Sequence, residues 1–188
     1  MKTLLQTMVV SQLEYGCVIW SPTDQQTIDE IESIQKDYTK KISIFKRYNQ
    51  RLNFATCNTS YMDRLQMLKL NSLERRRERY VILYMFKFIA SMVPDLGIKR
   101  NYNVRTKLHL VPKYCNHTNA QIQKKRRESI YVRGPLLYNK LPAKMRELPD
   151  TKKTNEDNYS TFKAELDEWI AAIPDQPGKA NSILNHVK

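Results

Sequence analysis

Residues 61–92, YMDRLQMLKLNSLERRRERYVILYMFKFIASM, decide the fold class. Ser60 and Asp63 stand at capping-box spacing before YMDRLQMLKL, and Asn71-Ser72 separates that short helix from a longer one that begins LERRRERY. On the longer helix Leu73, Arg77, Tyr80, Tyr84 and Phe88 recur at helical spacing, with Val81, Met85 and Ile89 beside them. Arg75, Arg76 and Arg79 gather on the opposite, N-terminal side. The helix therefore starts basic and ends apolar, and Val93-Pro94-Asp95-Leu96-Gly97 closes it.

Upstream, Leu5, Val9, Leu13, Cys17 and Trp20 predict a helix that runs to Trp20, where Ser21-Pro22 stops it. Ile28, Ile31, Ile34 (or Gln35), Tyr38, Ile42 and Phe45 then trace a second stripe, with acids early and lysines late, as the helix dipole prefers. RYNQRLNFATCNT at 47–59 has no clean period and is expected to be a loop. Downstream, KLHLV and SIYV alternate as short strands do, which predicts a small hairpin across a polar stretch containing KKRR at 124–127. Gly134-Pro135 leads into the short helical turns LLYNKLP and AKMREL, and DTKKTNEDN is expected to be a flexible linker. Phe162, Leu166, Trp169, Ile170 and Ile173 form the face of a last helix, ended by PDQPG and followed by a frayed tail. The expected fold is mainly α, with a small β-hairpin and a C-terminal amphipathic helix. Its expected divisions are 1–97, 98–150 and 151–188.

The 188 residues suit one modest core, and a mean hydropathy of -0.63 fits neither a membrane protein nor a fully disordered one. No apolar run is long enough to span a bilayer, so an intracellular protein, nuclear or cytoplasmic, is expected. Cys17, Cys57 and Cys115 follow no metal or redox spacing and are expected to be reduced. His109, Cys115 and His117 lack a fourth ligand at usable spacing, so neither metal nor other cofactor is expected. The sequons at Asn58, Asn116 and Asn158 match by chance in such a protein. The net charge of +13 is uneven: residues 61–148 hold 20 Lys or Arg against 6 Asp or Glu, while the flanks are nearly balanced. A block with such an excess is drawn to phosphates.

Five phrases, in order, resemble the C-terminal part of non-LTR retrotransposon reverse transcriptases of the jockey-like kind: LEYGCVIWSP at 13–22, IDEIESIQKDYTKKI at 28–42, YMDRLQMLKLNSLERRRERYVILYMFKFI at 61–89, RGPLLYNKLPAKMREL at 133–148 and FKAELDEWIAAIPDQP at 162–177. In such polymerases a catalytic palm with an aspartate pair is followed by a helical thumb and a helical extension. The resemblance implies a thumb-like helical bundle that handles RNA or an RNA/DNA duplex beside a palm. Two-metal nucleotide transfer needs clustered carboxylates, and this sequence has no adjacent aspartate pair. Asp24, Asp29, Glu30 and Glu32 lie in the first turns of a helix, where acids serve as caps and dipole partners. No catalytic residue and no activity of its own are expected.

The candidate phosphate contacts are Arg75, Arg76 and Arg79, then Lys124, Lys125, Arg126 and Arg127, with Tyr131 and Arg133 as a stacking platform beside them. Bland uses stand next to each: a solvated helix start balanced by Glu74 and Glu78, with Arg77 packed on the apolar side; a nuclear localisation signal or a loop kept soluble by charge; core packing for Tyr131. Trp20 and Trp169 are expected in the core. Two other functional classes fit the same pattern. One is a helical interaction module whose stripes at 4–20 and 28–45 dock on the palm domain or on a second copy, and the other is a non-functional relic of a decayed element.

Overall fold

The computed structural model describes residues 3, 5–22, 24–50, 60–114, 118–176 and 183–186. The chain is mainly helical, with a two-stranded antiparallel hairpin. It divides into two compact units. The first comprises Met1–Gly16, Pro22–Arg76 and Asp175–Asn181; the second comprises Cys17–Ser21, Arg77–Pro174 and Ser182–Lys188. The division differs from the expected breaks after 97 and 150, because the turn-rich residues beyond 97 share a core with the second half of the long helix rather than forming a body of their own.

In the first unit, a π-helical turn (Leu5–Val10) leads into α1 (Ser11–Glu14), followed by α2 (Gln25–Gln50), α3 (Tyr61–Leu68) and the first turn of α4 (Leu73–Ile89). The first helix ends six residues before Trp20. Gly16 takes φ 65°, a left-handed conformation that costs glycine little, and the chain turns there. Asp24 caps α2 by accepting from the Thr27 N–H (3.0 Å), and the helix runs on to Gln50, into the stretch expected to be a loop; residues 51–59 lie outside the described residues. The capping box of α3 forms as its sequence predicts: Ser60 Oγ accepts from the Asp63 N–H and Asp63 Oδ2 accepts from the Ser60 N–H, each at 3.1 Å. Val10, Leu65, Leu68, Leu70 and Leu73 make the core, with Ile31, Tyr38 and Tyr61 packed against it.

Glu32 does something its position on α2 does not announce. It is 2% exposed, and its two carboxylate oxygens accept from the Leu73 N–H (3.0 and 3.3 Å) and from the Tyr61 hydroxyl. A carboxylate at the start of α4 satisfies a donor with no partner inside the helix and meets the positive end of the dipole. Asp175 completes the same corner by accepting from the N–H and the hydroxyl of Ser72, both at 2.8 Å.

The second unit comprises Arg77–Ile89 of α4 with β1 (Arg100–Asn103), β2 (Lys107–Leu110), α5 (Ala120–Glu128), α6 (Ile130–Asn139), a 3₁₀ turn (Ala143–Arg146), α7 (Asn155–Ala171) and α8 (Ile183–His186). The rings of Phe86 and Phe162 stack at 4.2 Å in its core. β2 alternates as expected, with Leu108 and Leu110 buried and His109 exposed. Its partner, however, is β1, in the register Arg100↔Leu110 to Asn103↔Lys107, and not SIYV. SIYV opens α6, KKRR lies in α5, and Gly134-Pro135 sits inside α6 rather than before it. The free edge of β2 is closed by a side chain, as Asn139 accepts from the Leu110 N–H (2.9 Å) and donates to its carbonyl (2.7 Å). The polar stretch expected as a linker is shorter than DTKKTNEDN, because Thr154 accepts from the Asp157 N–H (3.1 Å) and starts α7 there. Trp169 packs against the core of this unit, whereas Trp20 is 40% exposed. The tail beyond 176 lies outside the described residues except for 183–186.

Pro135 explains a connection within this unit. A helix would send the N–H of residue 135 to the carbonyl of Tyr131, but proline has none to give. The Tyr131 carbonyl instead accepts from the Lys113 N–H at 3.0 Å, which fastens the segment after β2 to the first turn of α6.

Candidate nucleic-acid interface

The arginines at the start of α4 are occupied. Arg75 and Arg77 are both 1% exposed, so Arg75 does not present a guanidinium to a ligand from the surface. Arg76 pairs with Glu14 on α1, its Nη2 reaching Glu14 Oε2 at 3.0 Å. Arg79 pairs with Asp167 on α7, Nη2 to Oδ2 at 2.8 Å, and that hydrogen bond raises its already high pKa. Both pairs are two-pronged, the geometry in which arginine binds carboxylate most strongly. The acids paired with Arg76 and Arg79 lie far away in sequence.

Arg133 is likewise internal. Its guanidinium donates to the carbonyls of Cys17 and Val18 (both 3.1 Å) and Ser21 (2.9 Å), all in the second unit. Burial lowers its pKa, partly offset by the Cys17 thiol and Glu78, and no arginine in protein loses its proton near neutrality. Arg100 and Arg146 also spend themselves on carbonyls: Arg100 caps the end of α4 at Phe88 (3.1 Å) and Ile89 (3.3 Å), and Arg146 reaches Leu141 (2.9 Å). Much of the positive charge of residues 61–148 is therefore structural.

Lys69, Lys99, Arg105 and Lys144 stay exposed at scattered positions, and a further group of exposed cations lies around the junction of α5 and α6. Lys125 and Arg126 are exposed on α5, while the side chains of Lys124 and Arg127 lie outside the described residues. Ser129 alone separates the two helices, and Tyr131 follows at 40% exposure. Lys113, held to the Tyr131 carbonyl by its N–H, places its ammonium 5.8 Å from the centre of the Tyr131 ring. Tyr114 beside it is 61% exposed. Lys113 and Tyr114 were not among the residues the sequence nominated. The signal was present as a basic-aromatic pair just past a strand, but only the Pro135 vacancy brings it to Tyr131. No family model, curated protein or solved structure matches this chain.

Among the described residues no three His, Cys, Asp or Glu side chains stand together as a metal site, and Cys115 and His117 lie outside those residues. Among the described residues, too, no helix is long and apolar enough to cross a membrane. Cys17 is buried and outside any disulfide, and Cys57 and Cys115 are outside the described residues. The sequon residue Asn158 is buried, its amide paired with the backbone of Asp150.

Proposed function

We propose that this chain is a non-catalytic, nucleic-acid-binding piece of a non-LTR retrotransposon RNA-directed DNA polymerase, holding RNA or an RNA/DNA duplex through phosphate contacts. Supporting the family assignment are the five phrases from 13–22 to 162–177, in the order of the jockey-like C-terminal region. The observation that carries the binding is Lys113 beside the ring of an exposed Tyr131, with Lys125 and Arg126 exposed on the helix that precedes it. Exposed cations beside an aromatic ring suit a phosphate backbone and its bases.

The test is fluorescence anisotropy of the 188-residue chain with labelled RNA and with an RNA/DNA duplex across a salt series. For four to five phosphates neutralised on a duplex, log K falls against log salt with a slope of about -4. A flat slope, or no binding in low salt, overturns the proposal.

A second reading, a helical interaction module, is favoured by Met8 and Tyr15 in the first unit, which are 67% and 83% exposed. In that case the palm domain, or a second copy of the chain, covers them. Sedimentation at micromolar concentration distinguishes the two: self-association lost on Tyr15→Ser supports the module, and a clean monomer overturns self-pairing.

A further inference from the structure

The surface at the α5–α6 junction has a property that phosphate binding alone does not use: its exposed groups include rings as well as cations. Between residues 113 and 131 five Lys or Arg accompany one acid, Glu128. Within that span two tyrosines are turned outward, and both have fixed backbones. Tyr131 is in the first turn of α6, and its carbonyl holds the Lys113 N–H. Tyr114 donates its own N–H to the Pro112 carbonyl at 3.1 Å. Lys113 joins them, since its backbone is tied to Tyr131, its side chain reaches the Tyr131 ring and Tyr114 follows it directly.

We propose that this surface selects single-stranded RNA or DNA over duplex, with unpaired bases stacking on Tyr131 and Tyr114 and the flanking phosphates meeting Lys113, Lys125 and Arg126. The inference rests on the nucleic-acid reading above and narrows its substrate class. In a duplex the bases are stacked on one another and show a protein only their edges, so an outward ring finds no face to cover. An unpaired strand can splay its bases, and each base laid on a ring removes apolar surface of both from water. A phosphate-only surface has no use for exposed tyrosines. Exposed rings beside cations fit stacking with charge neutralisation, and they do so without sequence preference because every base has a π-face.

Binding of labelled oligonucleotides of about twelve nucleotides to the full 188-residue chain tests this. The oligonucleotides are unstructured single-stranded RNA and DNA, an RNA duplex and an RNA/DNA duplex, all at about 100 mM salt. Single strands are expected to bind roughly tenfold more tightly than either duplex. Tyr131→Ala and Tyr114→Ala should each weaken single-strand binding about tenfold and leave the duplexes nearly unchanged, whereas Tyr131→Phe, which keeps the ring, should bind as the parent does. Tyr102→Ala, removing an exposed tyrosine on β1, should change neither. Equal affinity for strand and duplex, or alanine variants that bind single strands normally with unchanged circular dichroism, overturns stacking while leaving phosphate binding intact. Failure to bind any of the four at low salt overturns both.

Discussion

Arg133 donates to the carbonyl of Cys17 at 3.1 Å, across 116 residues of sequence, and the same guanidinium takes the carbonyls of Val18 and Ser21. Three acceptors facing one planar fork need an arginine, because a lysine ammonium is a point donor that cannot span them. Arg133→Met should therefore lower stability by about 2–3 kcal/mol, the cost of leaving buried carbonyls without donors, and Arg133→Lys should recover only part of that loss. Urea unfolding followed by circular dichroism measures both. An Arg133→Met midpoint equal to the parent's would refute the clamp.

The helices were legible wherever their signals are local. Ser60 and Asp63 lie three residues apart, and the α7 face built on Phe162, Leu166 and Ile170 repeats every turn, so sequence alone places both elements. Arg77 was legible, since its place on the apolar side predicts the burial it shows, but Arg75, Arg76 and Arg79 were not, because a local window sees a run of positive charge and reads it as surface. Their partners are 62 residues away for Arg76 with Glu14 and 88 for Arg79 with Asp167. The hairpin partner was missed for the opposite reason. SIYV alternates like a strand over four residues, yet helical packing of Val132, Leu137 and Tyr138 in the core outweighs so short a pattern.

Gly134 lies inside α6 against α4. A Cβ added there would stand 2.6 Å from Met85 Sδ and 3.0 Å from its Cε, and Met85 is fully buried. Gly134→Ala is expected to cost about 1–3 kcal/mol through overpacking, although methionine is the most adaptable of core side chains. Because the clash is with Met85, the double variant Gly134→Ala with Met85→Ala should lose less than the sum of the two single losses. Strict additivity in thermal unfolding would place the cost elsewhere.

Tyr61 and Tyr138 give the fold an alkaline limit. Burial pushes the pKa of both above the ordinary 10, and for Tyr61 the neighbouring Glu32 carboxylate pushes further, since a phenolate would face a like charge. Each raised group holds its proton more tightly folded than unfolded. Its contribution is whole below pH 10, and stability falls as pH rises from there towards the folded value, by up to about 1.4 kcal/mol per pH unit for each tyrosine. Tyr61→Phe should be less stable than the parent at pH 7 by about 1 kcal/mol, having lost its bonds to Glu32 and Gln35, but should decline less steeply above pH 10. Parallel curves for parent and variant between pH 9 and 11 would rule this out.

The division between structural and free cations has its own readout in salt dependence. Each phosphate contact on a duplex contributes about 0.9 to the slope of log K against log salt, and an arginine already paired with a carboxylate contributes nothing when it is neutralised. Lys125→Gln with Arg126→Gln should therefore lower the slope by nearly 2. Arg76→Gln and Arg79→Gln should leave it unchanged while lowering stability modestly, the more so for Arg76, whose partner Glu14 is the less exposed carboxylate. These variants form a matched set, all replacing cations of residues 61–148 with the same neutral side chain. A slope that falls equally for all four positions would mean that Glu14 and Asp167 release their arginines to the ligand, and the interface would then extend along α4.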